Sequence, residues 1–161
     1  MTQVFIGLGS NMEDPVSQLR SAISALKLLP DCEYAGNSSF YVSKPVGPQN
    51  QPDFINAVAE LYTRLDAVDL LEYLQNIENR QGRERNTERW GPRTLDLDII
   101  LYGDMIIADK KLTIPHKEIQ RRNFVLYPLY EIAPDIVVPG LGHIKQLLND
   151  VDATGLSKLD T

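Results

Sequence analysis

The chain opens on an apolar run, QVFIGL at residues 3–8, short enough for a strand and closed by the turn residues of GSNMEDP. Asp14 is placed to cap a helix and Pro15 to occupy its first position. Val16, Leu19, Ile23 and Leu26 then recur at helical spacing, a stripe that Pro30 ends. Residues 33–43, rich in Tyr, Phe, Ser and Val, predict a second strand, and KPVGPQNQP after it holds too much proline and glycine for regular structure. Alternation in FINAVAELYT at 54–63, with Ile55, Ala57, Ala59 and Leu61 on one face, predicts a third strand. Val68, Leu70, Leu71, Leu74 and Ile77 stripe a helix over 67–80, with Gly82 suited to its C-terminal cap. An arginine-rich loop follows, and residues 95–102 make a fourth strand.

The order β-α-β-β-α-β is that of the split βαβ unit, so the expected class is α+β: a ferredoxin-like βαββαβ core whose mainly antiparallel sheet is flanked by helices, plus a C-terminal extension. The extension predicts a hairpin around MIIADKKLTI and then short helical segments in PHKEIQRRNFVLYPLYEIAP, broken by Pro128 and Pro134. A poorly ordered tail is expected from about Gly155. The 161 residues show no repeat or low-complexity tract and fit one domain, 1–161.

Composition narrows this further. A 43% hydrophobic content suffices for a real core. No stretch approaches the roughly 18 apolar residues of a membrane span, and MTQVFIGLG lacks the basic region and length of a secretory signal, so a cytoplasmic, monofunctional monomer with no membrane partner is expected. The single cysteine, Cys32, permits neither an internal disulfide nor a thiolate zinc cluster. A net charge of −6 argues against nonspecific nucleic-acid binding. Yet Arg80, Arg83, Arg85, Arg89 and Arg93 fall within fourteen residues, and Arg121 and Arg122 form a second pair. A concentrated cationic site on an acidic chain points to a small anionic ligand.

The chemistry centres on RWGPRTLDLDIILYG, residues 89–103. Alternation puts Asp96 and Asp98 on one side of the fourth strand, with Leu95, Leu97 and Ile99 on the other. Two carboxylates about 7 Å apart repel by roughly 2 kcal/mol at an effective dielectric near 20. Solvent exposure or pairing with the nearby arginines would offset that. The sharper alternative is a divalent cation, since Mg²⁺ takes a few carboxylate oxygens and keeps water and phosphate ligands. Arg83, Arg93 and Arg122 would then clamp polyphosphate oxygens. No P-loop motif occurs, and GLGSN is too short for a dinucleotide fingerprint. The two histidines, His116 and His143, are too few for a histidine-rich metal centre and leave a serine triad few candidates. On spacing alone His116 reads as a helix N-terminal residue, with a ligand contact as the alternative. Phe54 and Phe124 are either core or the two sides of a slot for a flat heterocycle, with Asn56 offering an amide to its edge. Trp90, in a polar loop, suits a movable cover.

FIGLGSN, KPVGPQNQPDFINAV, RWGPRTLDLDIILYG, LTIPH and RRNFVLYPLYEIAPD, in that order through about residue 140, together closely resemble the 6-hydroxymethyl-7,8-dihydropterin pyrophosphokinase family. The resemblance implies transfer of pyrophosphate from MgATP to the hydroxymethyl group of a reduced pterin, with release of AMP, in folate biosynthesis. It implies that Asp96 and Asp98 bind two Mg²⁺ ions, that Arg83 and Arg93 contact phosphates, and that Arg122 belongs to a catalytic loop. Phe54 and Phe124 would stack on the pterin, Asn56 would bond its edge, and backbone groups of Ser43 and Val46 would read the rest. Gln75, Glu78, Arg85, Arg89, Trp90, Ile99, Lys111, Thr113 and His116 would make up the nucleotide pocket. No general base stands out except Asp96, a poor one while metal-bound. The segments 44–53 and 82–92 would close over the nucleotide and exclude water. Lys44, Asn86, Lys111 and Lys117 depart from the family pattern, at positions that bear on loops and on adenine or ribose contacts rather than on the metal pair.

Two competing classes remain distinguishable. An ordinary Mg²⁺-dependent kinase or nucleotidyltransferase would use the same aspartates and give a different product. A ferredoxin-like module reading RNA on its sheet would need an aromatic signature that the chain lacks, and would turn Asp96 and Asp98 toward a repelling phosphate backbone.

Overall fold

The computed structural model describes residues 1–12, 14–45, 50–82 and 95–159. In chain order its elements are β1 (Thr2–Ser10), α1 (Pro15–Leu26), β2 (Cys32–Asn37), β3 (Tyr41–Ser43), β4 (Phe54–Thr63), α2 (Ala67–Arg80) and β5 (Asp96–Tyr102). There follow β6 (Ile107–Ala108), β7 (Thr113–Ile114), α3 (Asn123–Ile132), β8 (Val137–Val138), β9 (Gly142–His143), α4 (Ile144–Leu148) and β10 (Leu156–Lys158). The main sheet runs β10-β3-β4-β1-β5, with β2 also beside β4, and every pairing in it is antiparallel.

β1 lies at the centre because both its faces can be buried. Val4, Ile6 and Leu8 face one way, against Leu19, Ala22 and Leu26 of α1 and Leu70, Leu74 and Ile77 of α2. Phe5 faces the other way and joins Val58, Ile100 and Leu101 beneath Val125, Leu126 and Leu129 of α3 and Ile144 and Leu147 of α4. The register of β1 on β5 slips between Phe5 and Ile6, so that Phe5 meets Leu101 and Ile6 meets Ile99. Ile100 is the extra residue of this bulge, which turns Ile100 and Leu101 to the α3 face and returns Tyr102 to the α1 and α2 face.

Asp14 caps α1 through its carboxylate, with Pro15 at the first position, as the spacing predicts. Four expectations need correction. The strand expected over 33–43 is two strands, because Ser38 interrupts it: its N–H donates to the Val58 carbonyl at 2.8 Å and its hydroxyl accepts the Val58 N–H at 3.0 Å. Val68, placed in the α2 stripe by spacing, is exposed, and Ala67 takes the inward position. Pro128 does not break the helix but lies buried inside α3, where the packed face formed with Val125, Leu126 and Leu129 outweighs one missing backbone bond. Pro134 does follow the end of that helix. The tail expected from about Gly155 is instead held as β10, which pairs Leu156 with Ser43 and Lys158 with Tyr41. The hairpin around residues 105–114 is present as β6 and β7.

Candidate active site

On the α3 side of the sheet, the apolar cover ends beyond Phe5, Val58 and Ile100. Further along the same strands, alternation brings Gly7 and Gly9 of β1, Phe54 and Asn56 of β4, and Asp96 and Asp98 of β5 to that face. Gly7 is directly opposite Asp98, and Gly9 is opposite both Asp96 and Asn56. A Cβ on Gly9 would stand 3.2 Å from Asn56 Oδ1, and one on Gly7 would stand 3.0 Å from Ile100 Cδ1. Two glycines thus leave a side-chain-free floor between an amide and a pair of carboxylates. Sequence reasoning set GLGSN aside as a failed fingerprint; the signal it overlooked was glycine at alternate positions of a strand.

The carboxylates project from an edge strand, since among the described residues β5 pairs only with β1. Glu78, buried at the end of α2, anchors its open edge: Oε2 accepts the Leu97 N–H at 2.8 Å. Leu97 separates Asp96 from Asp98, so this bond holds the stretch that aims both. Glu78, expected in the nucleotide pocket, therefore also supports the aspartates. Ile99, expected there too, keeps its side chain in the core, which leaves its backbone as what it offers a ligand. Gln75 is exposed on α2, and Thr113 and Lys111 lie on and beside β7, where Asp109 Oδ1 accepts the Lys111 N–H.

His116 does not open a helix; the next helix begins at Asn123. Its N–H donates to the Ile100 carbonyl at 3.0 Å, tying it to β5. Nδ1 accepts the Glu118 N–H at 3.1 Å, so the neutral ring carries its proton on Nε2. Nε2 stands 3.9 Å from Asp98 Oδ2, beyond hydrogen-bond reach. Burial, together with the charges of Arg122 and Lys117 and against that of Glu118, pulls the imidazole down to about 4. The approach is that of a neutral ring to a carboxylate, not an ion pair.

At the other end of the floor, Asn56 Nδ2 donates to Ser43 Oγ at 2.7 Å, both residues being buried. This bond orients the amide and leaves its oxygen over Gly9. Asn11 holds the approach to Phe54 by donating to Gln51 Oε1 at 2.8 Å and to the Pro52 carbonyl at 3.1 Å. Phe124 is the second residue of α3, with the Arg122 guanidinium 5.5 Å from its ring centroid. Val46, Arg83, Arg85, Arg89, Trp90 and Arg93 lie outside the described residues, as do Asn86, residues 46–49 of the first segment expected to close and residues 83–92 of the second.

Among the described residues no three His, Cys, Asp or Glu side chains gather as a metal cage. Two half-exposed carboxylates suit a hard cation that draws its other ligands from water and phosphate. An α+β protein with an antiparallel sheet and a carboxylate pair that shares a bare sheet face with a buried, oriented amide has the makings of a metal-assisted group-transfer enzyme. The family model for 7,8-dihydro-6-hydroxymethylpterin-pyrophosphokinase (HPPK) matches residues 5–134, and the chain belongs to that family. It is 49% identical over 160 residues to the 2-amino-4-hydroxy-6-hydroxymethyldihydropteridine pyrophosphokinase of Haemophilus influenzae, covering 99% of both chains. Identity to the protein of that name from Pseudomonas aeruginosa is 45% over 98% of this chain and 96% of the other. Among solved structures, wild-type Plasmodium falciparum HPPK-DHPS superposes with a TM-score of 0.73 at 13% identity. That match covers 98% of this chain but 47% of the other, and it speaks to the fold alone.

Proposed function

We propose that this protein transfers pyrophosphate from MgATP to the hydroxymethyl group of 6-hydroxymethyl-7,8-dihydropterin, yielding AMP and the pterin pyrophosphate for folate synthesis. The observation that carries this reading is the glycine floor of β1, which sets the Asn56 amide at one end and Asp96 and Asp98 at the other on a single sheet face. In the reaction the pterin hydroxyl oxygen forms a bond to the β-phosphorus, the bond from that phosphorus to the α,β-bridging oxygen breaks, AMP leaves with that oxygen, and the hydroxyl proton passes to solvent.

Asp96 and Asp98 would hold two Mg²⁺ ions, which supply charge neutralisation at the phosphates and acidify the hydroxyl. Asn56, oriented by Ser43, hydrogen-bonds the pterin edge, and Phe54 and Phe124 stack on its faces, which fixes the hydroxymethyl group relative to the phosphates. Arg122 moves from the Phe124 ring toward phosphate oxygens as the slot fills. His116 presents its Nε2–H as a neutral donor on the phosphate side. Arg83 and Arg93 add charge there, and Arg85, Arg89, Trp90 and Val46 complete the nucleotide and pterin contacts.

The strand order β5-β1-β4-β2/β3 supports a ferredoxin-like core carrying a C-terminal extension as one domain. A cytoplasmic monomer acting on small molecules completes the reading; among the described residues no helix is long and apolar enough to cross a membrane. Phosphorus NMR of the protein with MgATP and the pterin tests it. AMP and a pyrophosphorylated pterin are expected, ADP would assign an ordinary kinase, and no turnover by folded protein would refute the reading.

A further inference from the structure

Residues 151–159 lie beyond the stretch that the family model matches, and they join α3, which carries Phe124, to β3, which carries Ser43, the two walls of the proposed pterin slot. At one wall, Asn123, between Arg122 and Phe124, donates through Nδ2 to the carbonyls of Asp152 at 3.1 Å and Thr154 at 3.0 Å. One turn on, Tyr127 donates through its hydroxyl to the Val151 carbonyl at 3.2 Å. At the other wall, β10 pairs with β3, and the Leu159 N–H donates to the Phe40 carbonyl at 2.8 Å. Lys158 adds an approach of 3.8 Å to Glu131 of α3. β3 is three residues long, and it carries the Ser43 hydroxyl that orients Asn56. β4 flanks this short strand on one side, and Glu131 of α3 accepts bonds from Ser39 before it and from the Tyr41 hydroxyl; β10 supplies the second strand neighbour and pairs at Ser43 itself.

We propose that residues 152–159 are a strap that sets the spacing between Phe124 and the Ser43–Asn56 pair, and that Asn123 is a positioning residue for the pterin through it. The inference rests on the reaction proposed above. The strap's bonds run to α3 and to the β3 region, whereas Glu78 accepts the Leu97 N–H of β5, and His116 is tied to the Ile100 carbonyl of β5 and to the Glu118 N–H of its own turn. Its influence should therefore fall on one substrate and spare the other.

The test uses Asn123→Ala, Leu156→Pro and the double variant in the full chain. Leu156→Pro removes the N–H that donates to the Ala153 carbonyl at 3.0 Å in the turn before β10. Each single change is expected to raise the pterin KM about tenfold, the scale of one or two lost hydrogen bonds, while the MgATP KM stays within about twofold. The double variant should be no worse than the poorer single, because both open the same strap. A fall in kcat with both KM values unchanged, an equal rise in both, or additive effects would overturn the proposal. Hydrogen exchange at Tyr41–Ser43, measured without substrate, should quicken in Asn123→Ala. Unchanged exchange overturns the strap whether or not the parent protein makes AMP, and a parent that makes none refutes the reaction separately.

Discussion

Replacing Glu78 with alanine removes the buried carboxylate that accepts the Leu97 N–H at 2.8 Å on the open edge of β5. A buried N–H left without an acceptor costs about 1–3 kcal/mol, and the void left by the deleted atoms adds roughly 1 kcal/mol. At about 2–4 °C of melting temperature per kcal/mol for a chain of this size, a loss near 3 kcal/mol lowers Tm by roughly 6–12 °C. Glu78→Gln keeps an oxygen that can take the same N–H, so its fall should stay under about 4 °C. Activity should follow the same order, because Leu97 lies between Asp96 and Asp98. At saturating MgATP, Glu78→Ala should lose about tenfold or more in kcat, and Glu78→Gln should keep most of it. Calorimetry and steady-state kinetics on the three proteins check this. If Glu78→Ala melts within about 2 °C of the parent, or if glutamine is as damaging as alanine, the anchoring argument is wrong. A rise in the MgATP KM for both variants at constant Tm would mark Glu78 as a nucleotide contact alone.

Asp98→Ala should abolish Mg²⁺-dependent AMP formation and leave the fold intact, since the side chain is 49% exposed; near-normal turnover would sink the metal assignment. Gly9→Ala places a methyl 3.2 Å from Asn56 Oδ1 and should raise the pterin KM about tenfold with little change in Tm; an unaltered KM would refute the role of the floor. Burial pushes Glu131 up, but hydrogen bonds from Tyr41 and Ser39 and the charge of Lys158 outweigh it and hold the carboxyl below its ordinary 4.5. Such a group contributes stability that is present above that value and is lost as pH falls through the lower folded-state value. Below pH 4.5 the parent's Tm should therefore drop more steeply than that of Glu131→Gln, and parallel curves in thermal melts would contradict this.

What the chain disclosed in advance was governed by neighbours in sequence. The alternation of β4, the Asp14 and Pro15 start of α1 and the span of α2 follow from periodicity and capping, which act within a few residues. Asp96 and Asp98 were legible for the same reason, since a strand period of two puts them on one face whatever they pack against. The failures depended on partners distant in sequence. Ser38 splits its strand only because Val58 stands opposite, Pro128 is tolerated only because α3 has a sheet face to bury, and β10 exists only because β3 offers an edge. Ile100 turns to the α3 face through a slip against Phe5 that no window around Ile100 contains.

The glycines carry this argument furthest. Gly7 and Gly9 act through the side chains they lack, which becomes visible only once Asn56, Ile100 and the aspartates are seen around them. A strand that runs from Phe5 to two bare positions on one face gives up core at that end. That is why the helical cover on this face stops short of the aspartates and α3 begins at Asn123. The open floor must then be bounded by something other than packing. Hydrogen bonds take over: Glu78 on the β5 edge, Ser43 on Asn56, Asn11 on the 51–52 turn and Asn123 on the C-terminal strap. Because such bonds are directional and few, a single substitution at Ser43, Asn11 or Asn123 should shift one substrate's handling far more than it shifts the stability of the two apolar clusters, whereas the buried Glu78 bears on both. Substitutions in those clusters should do the reverse.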